Sequence, residues 1–189
     1  MDTYEYVAVL TSIIIGLSIT QLLYGLAQIV QHPDRVPIYW THLIWVAYMF
    51  FTVVWWWWWQ IALSSVDVWS LGLYLYVASF AVILYFICAL LFPSDMGDYE
   101  GYRDYFLSRR RWFFGLLGTA YVLDFGDTLL KGTDYFVNLG MSYPLIMGVI
   151  IIGCAFAAYT RNEHFQGGFA VVAIGTQVYQ AIAYTATIG

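Results

Sequence analysis

"YVAVLTSIIIGLSITQLLYGLAQIV", residues 6–30, carries no charged side chain over its whole length. An α-helix rises about 1.5 Å per residue, so about 20 mainly apolar residues cross the hydrocarbon core of a bilayer. This stretch is long enough to span one. Reading onward finds five more such segments, at residues 38–63, 70–92, 112–131, 142–160 and 166–188. Pro33, Pro37, Pro93 and Pro144 all fall at or near segment ends, where a residue without an amide proton is tolerated. No connection is long enough to hold a soluble domain. The expected fold is all-α, a six-transmembrane-helix bundle forming a single integral membrane domain over residues 1–189.

Composition points the same way. Charged residues make up 10% of the chain and apolar ones 62%, with a mean hydropathy of +0.71. A soluble domain carries about 25% charge. The net charge of −5 comes without any basic tail or Lys/Arg stripe, so no nucleic acid is expected as a partner. Cys88 and Cys154 lie in apolar runs and are read as small hydrophobes. No Cys/His spacing matches a zinc site, so no metal is expected. The first residues, "MDTYEYVAVL", open on acid rather than base and lead into a long apolar run. They are read as a retained span rather than a secretory signal.

Lys and Arg in short loops set orientation. The connections after spans one, three and five hold Arg35, Arg103, Arg109, Arg110, Arg111 and Arg161, and the other side holds only Lys131. Both termini are therefore expected on the non-cytoplasmic side.

Span two contains five adjacent tryptophans, Trp55, Trp56, Trp57, Trp58 and Trp59. Five consecutive helical residues turn through about 400° and rise about 6 Å, so they make a collar rather than a stripe. Trp55 lies about 22 Å along the helix from Trp40, near the outer interface, where indoles are favoured. Anchoring accounts for some of the rings. The others must point into the bundle, either simply packing or lining a pocket for a cation or a flat ligand.

Span four contains "YVLDFGDTLLKG", residues 121–132. Asp124, Asp127 and Lys131 share one helical face, with Thr128 beside them. A charge within a span costs about 2.5 kcal/mol or more even on lenient insertion scales, so Asp124 is expected to face the bundle. Two uses remain open: a buried polar network that fixes helix register, or an ion or proton site. Gln177, Gln180 and Tyr184 form a stripe on span six that either meets this face or holds helices together.

Ser12, Gly16 and Thr20 repeat every four residues in span one and read as a small-residue seam for close helix packing. Thr11, Ser18 and Gly25 repeat every seven on another face. His42 is read as a hydrogen-bonded core residue, because haem ligation by two histidines lacks a second embedded one. "DYEGYRDYF", residues 98–106, reads as a short helix lying in the interface. Arg109, Arg110 and Arg111 are expected to anchor it to lipid headgroups. A faint echo between "GLSIT" (16–20) and "GLLGT" (115–119) suggests an inverted repeat of three spans.

No nucleophile elbow, phosphate-binding loop or H-E-x-x-H is present, so the chain is not read as an enzyme. "EYVAVLTSIIIGLSITQLL" (5–23), "RRRWFFGLL" (109–117), "DTLLKG" (127–132) and "RNEHF" (161–165) together resemble a family of small bacterial multi-pass integral membrane proteins. The resemblance implies six helices and a bacterial inner membrane, and it carries over no catalytic residues.

The leading expectation is a small inner-membrane channel or transporter for an ion, proton or small solute. Asp124 would be its responsive carboxylate, tuned by Asp127 and Lys131. The alternative is a non-catalytic subunit or scaffold that binds lipid or a larger membrane complex through its aromatic belts. Membrane lipids, and a homo-oligomer or larger complex, are the expected partners. The orientation has a direct test. A cysteine placed at Asp2 is expected to react with a membrane-impermeant maleimide on intact spheroplasts, and one placed at Asp34 only after permeabilisation; the reverse pattern overturns it.

Overall fold

The structure is a computed structural model that describes residues 3–66, 68–130, 136–137 and 139–188. Among these residues it contains six α-helices, one 3-10 segment and no strand. The helices are α1 (Thr3–Gln31), α2 (Trp40–Trp59), α3 (Leu71–Ala89), α4 (Tyr102–Leu130), α5 (Ser142–Tyr159) and α6 (Glu163–Ile188). The 3-10 segment, Gln60–Ser65, follows α2 directly. Three of the helices, α1, α3 and α5, are long and apolar enough to cross a membrane. In α2 the indoles lower the hydropathy, while α4 and α6 carry charged or amide side chains along their length.

Local chemistry sets several helix ends. Ser70 caps α3, its hydroxyl accepting from the Leu73 amide at 3.1 Å, which satisfies one of the free first-turn donors. Asn162 does the same for α6, accepting from the amides of His164 at 3.0 Å and Phe165 at 3.4 Å.

Consecutive helices alternate in direction. One end of the bundle gathers the start of α2, α4 and α6 and the finish of α3 and α5, with most of the arginines. There Arg103 of α4 pairs with Glu163 of α6, and the guanidinium holds the Glu163 carboxyl below the usual carboxylate range. At this basic end the last carbonyls of α3 and α5, which have no partner within their own helices, meet side chains. His42, wholly buried, donates from Nε2 to the Leu91 carbonyl at 2.6 Å, and Tyr105 donates to Leu90 at 2.9 Å. The His42 ring stacks on Tyr102 at 5.0 Å. Arg110 donates to the carbonyls of Thr160 at 3.1 Å and Tyr159 at 3.3 Å. Gln166 donates to Ala157 at 2.9 Å and Thr160 at 3.0 Å.

Helix α2 is central, packing on α1, α3, α4 and α6, while α4 and α6 each pack on α5. Trp45 of α2 is fully buried, with the rings of Tyr48, Phe113, Phe114 and Phe169 edge-on around it at 5.2–5.4 Å. Such edge-to-face contacts suit the ring quadrupoles.

Four expectations need correction. The seam of α1 is not Ser12, Gly16 and Thr20. All three are exposed, and the hydroxyls of Ser12 and Thr20 bond back to the carbonyls of Val9 and Gly16, both at 2.8 Å. The buried face is Val7, Thr11, Ile15, Ser18, Leu22 and Gly25, because that face also carries the bulk that α3 needs to pack against. The stretch at 98–106 is no separate interfacial helix: residues 98–101 are turn and bend, and residues 102–106 open α4. Tyr102 and Phe106 are buried against His42 rather than in lipid. Arg110 is no headgroup anchor: it is 5% exposed and occupied by the α5 carbonyls. Arg109 and Arg111 remain exposed and lie over the rings of Tyr99 and Tyr159 at 6.0 and 5.9 Å. The inverted repeat also fails, since α1 packs on α3 whereas α4 and α6 make no close backbone approach among the described residues.

The Phe92 ring lies 2.2–2.4 Å from where a Cβ on Gly25 would sit. Gly25→Ala is therefore expected to destabilise the chain by about 1–3 kcal/mol through overpacking, read as a lower midpoint of thermal unfolding in detergent. An unchanged midpoint would show that α1 is free to shift.

Candidate functional site

At the end of the bundle opposite the arginines, α4 and α6 diverge and a cavity of about 580 Å³ lies between them. Helix α2 contributes Thr52, Trp55, Trp56 and Trp59 to its wall, α4 contributes Tyr121, Asp124 and Thr128, α5 contributes Tyr143, and α6 contributes Gln177 and Gln180. The Trp collar and the acidic face of α4 thus meet in one space, together with the Gln stripe of α6.

The helical rotation sorts the indoles. Trp55, Trp56 and Trp59 line the cavity, whereas Trp57 and Trp58 turn outward. Steps of 100° place residues i, i+1 and i+4 on one side and leave the two between them on the other. Trp55 and Trp59 stand edge-to-face at 6.0 Å, and Trp56 packs on Phe80 at 5.1 Å.

Asp124 accepts a hydrogen bond from the Tyr143 hydroxyl at 2.9 Å. Tyr143 uses its proton there, so Thr128, at 2.7 Å from the same oxygen, donates to it. A chain of hydroxyls therefore leads from Thr128 through Tyr143 to the carboxylate, across the α4–α5 contact. On the facing side, Gln177 donates to the Thr52 hydroxyl, which donates to the Tyr48 carbonyl at 2.9 Å. Tyr48 and Tyr121 join hydroxyls deeper in the bundle. The indole N–H of Trp56 and the amide oxygen of Gln177 are buried without a hydrogen-bond partner among the described residues.

Asp127 is 2% exposed and absent from the cavity wall. One turn on from Asp124, it sits toward α3, within electrostatic reach of Tyr76. The Tyr76 hydroxyl donates to the Leu123 carbonyl and occupies the space a side chain at Gly126 would need. Asp124 thus lines the cavity and Asp127 does not, although both lie within electrostatic reach of Tyr76 and Tyr143. Lys131 and the side chain of Tyr184 lie outside the described residues.

Beyond the lining residues Leu117 and Ile174, toward the basic end, lies the Trp45, Phe113, Phe114 and Phe169 cluster, in which Phe114 and Phe169 bridge α4 and α6 at 5.9 Å. Toward α6 it reaches the surface beside Val178, Tyr179 and Ile182, all more than half exposed. Among the described lining residues Asp124 is the one charged side chain.

No family model, curated protein or solved structure matches this chain.

Sequence reasoning missed Tyr143, Tyr121 and Thr52. Each is an ordinary polar residue within an apolar run, and its role depends on a partner on another helix. The only signal was the carboxylate's need for a donor, which names no helix. Tyr143→Phe removes the donor to Asp124 and the acceptor of Thr128. It is expected to cost about 1–3 kcal/mol, measured as a shift in unfolding midpoint in detergent, with no loss from Ser142→Ala. Equal stability of Tyr143→Phe and the parent would mean the hydroxyl chain adds nothing to the fold.

Proposed function

We propose that this chain is a small bacterial inner-membrane transporter or channel for a proton, ion or small solute. All six helices span the bilayer in this reading, with both termini on the non-cytoplasmic side. Asp124 is the responsive carboxylate, and Asp127 and Lys131 tune it. The observation that carries the reading is that Asp124 and three indoles from a different helix line one cavity.

Two further features support it. The outward faces of the less apolar helices are themselves apolar, as in Trp57 and Trp58 of α2, Val122, Phe125 and Leu129 of α4, and Val171 and Val172 of α6. Their polar residues are spent on the cavity or on helix ends, which suits a lipid surround. The aromatic cluster at Trp45 separates the cavity from the basic end, which favours a binding pocket that opens by helix movement over a standing pore.

The test is flux in liposomes containing the purified chain, with dyes for pH and monovalent cations. The parent is expected to pass a proton- or cation-dependent current that Asp124→Asn abolishes while its unfolding midpoint stays the same. Absent flux in the parent, with a larger membrane complex recovered by mild detergent extraction and native mass spectrometry, would overturn transport in favour of an accessory subunit.

A further inference from the structure

We infer that the cavity is a binding site for an organic monocation: a protonated amine with an apolar or aromatic body. The inference rests on the reading of the cavity as a substrate site and names its substrate class.

Charge is the first argument. Among the described lining residues the only charged group is the Asp124 carboxylate. Trp55, Trp56 and Trp59 line the same cavity, and indole rings attract a cation and repel an anion at their faces. Tyr143 donates to one oxygen of Asp124.

Size and wall chemistry exclude simpler occupants. At about 580 Å³ the cavity lies within the range of small-molecule pockets, roughly 300–1,000 Å³. A bare metal ion requires a shell of several oxygens. Here oxygen atoms lie along the Asp124–Tyr143–Thr128 wall and at Thr52 and Gln177, while indole and aliphatic groups fill much of the rest. Among the described residues no three His, Cys, Asp or Glu side chains gather as metal ligands. An apolar body against the indoles, with a single charged head at Asp124, uses the whole surface.

Hydrogen bonding narrows the cation. The acceptors on the wall centre on the Asp124 carboxylate and the hydroxyls of Tyr143 and Thr128. An ammonium N–H can donate to such oxygens and a quaternary cation cannot, which favours a protonated amine.

Binding of three similar small molecules separates charge from shape: 2-phenylethylammonium, neutral 2-phenylethanol and anionic phenylacetate. Each is titrated calorimetrically into the purified full chain in detergent. The cation is expected to bind saturably and at least tenfold more tightly than either of the others. Asp124→Asn should weaken the cation tenfold or more and leave 2-phenylethanol unchanged, and Trp59→Phe should weaken the cation several-fold. Equal binding of cation and alcohol to the parent, or no binding of the cation, overturns the inference without needing any variant to fold. Asp124-dependent proton flux with no amine binding would sink this inference and leave the transport reading standing. Asp124-dependent amine binding without flux would do the reverse.

Discussion

A carboxylate can sit among apolar helices only where donors meet it. Asp124 obtains one from Tyr143, a residue on another helix, and that need ties α4 to α5. The two helices pack closely, with the Cys154 side chain 3.5 Å from where a Cβ on Gly118 would sit. The carboxylate and its hydroxyl chain therefore rest on a rigid pair. The opposite wall is formed by α2 and α6, linked through Thr52 and Gln177. The cavity exists because these two pairs are joined at one end by aromatic rings and stay apart at the other.

The two ends of the bundle solve different problems. At the basic end, helices α3 and α5 finish among protein atoms, and their last carbonyls need donors. Arg110, Gln166, His42 and Tyr105 supply them. All four belong to other helices that begin at that end, so the caps double as clamps between helices. Polar groups here are spent on structure. At the other end, Asp124, Tyr143 and Thr128 face a space large enough for a ligand. A charge on the wall of an open cavity marks a site better than either feature alone.

The run of five indoles has one cause and two consequences. A helix cannot point adjacent residues the same way, so a collar necessarily divides between the interior and the surround. Trp55, Trp56 and Trp59 give the cavity a flat, polarisable wall, and Trp57 and Trp58 cover the outside of α2. Five in a row give three inside because the rotation of α2 centres the cavity between Trp55 and Trp59.

Much of this was legible without coordinates. Apolar run lengths and the prolines between them determined an all-α chain of six long segments, and α1, α3 and α5 carry the apolar length that spanning demands. Periodicity along single helices put Asp124 beside Thr128 and made a split collar unavoidable. These are local properties, set by the geometry of one helix. Only the tertiary structure decided which face of each helix turns inward. It chose Thr11, Ser18 and Gly25 over Ser12, Gly16 and Thr20, and turned Arg110 away from the surface. It also left Asp127 out of the cavity wall and brought Tyr143 to the Asp124 carboxylate. The reason is physical: helix rotation follows from the summed fit of bulky side chains on all neighbours at once, and no single segment contains that sum.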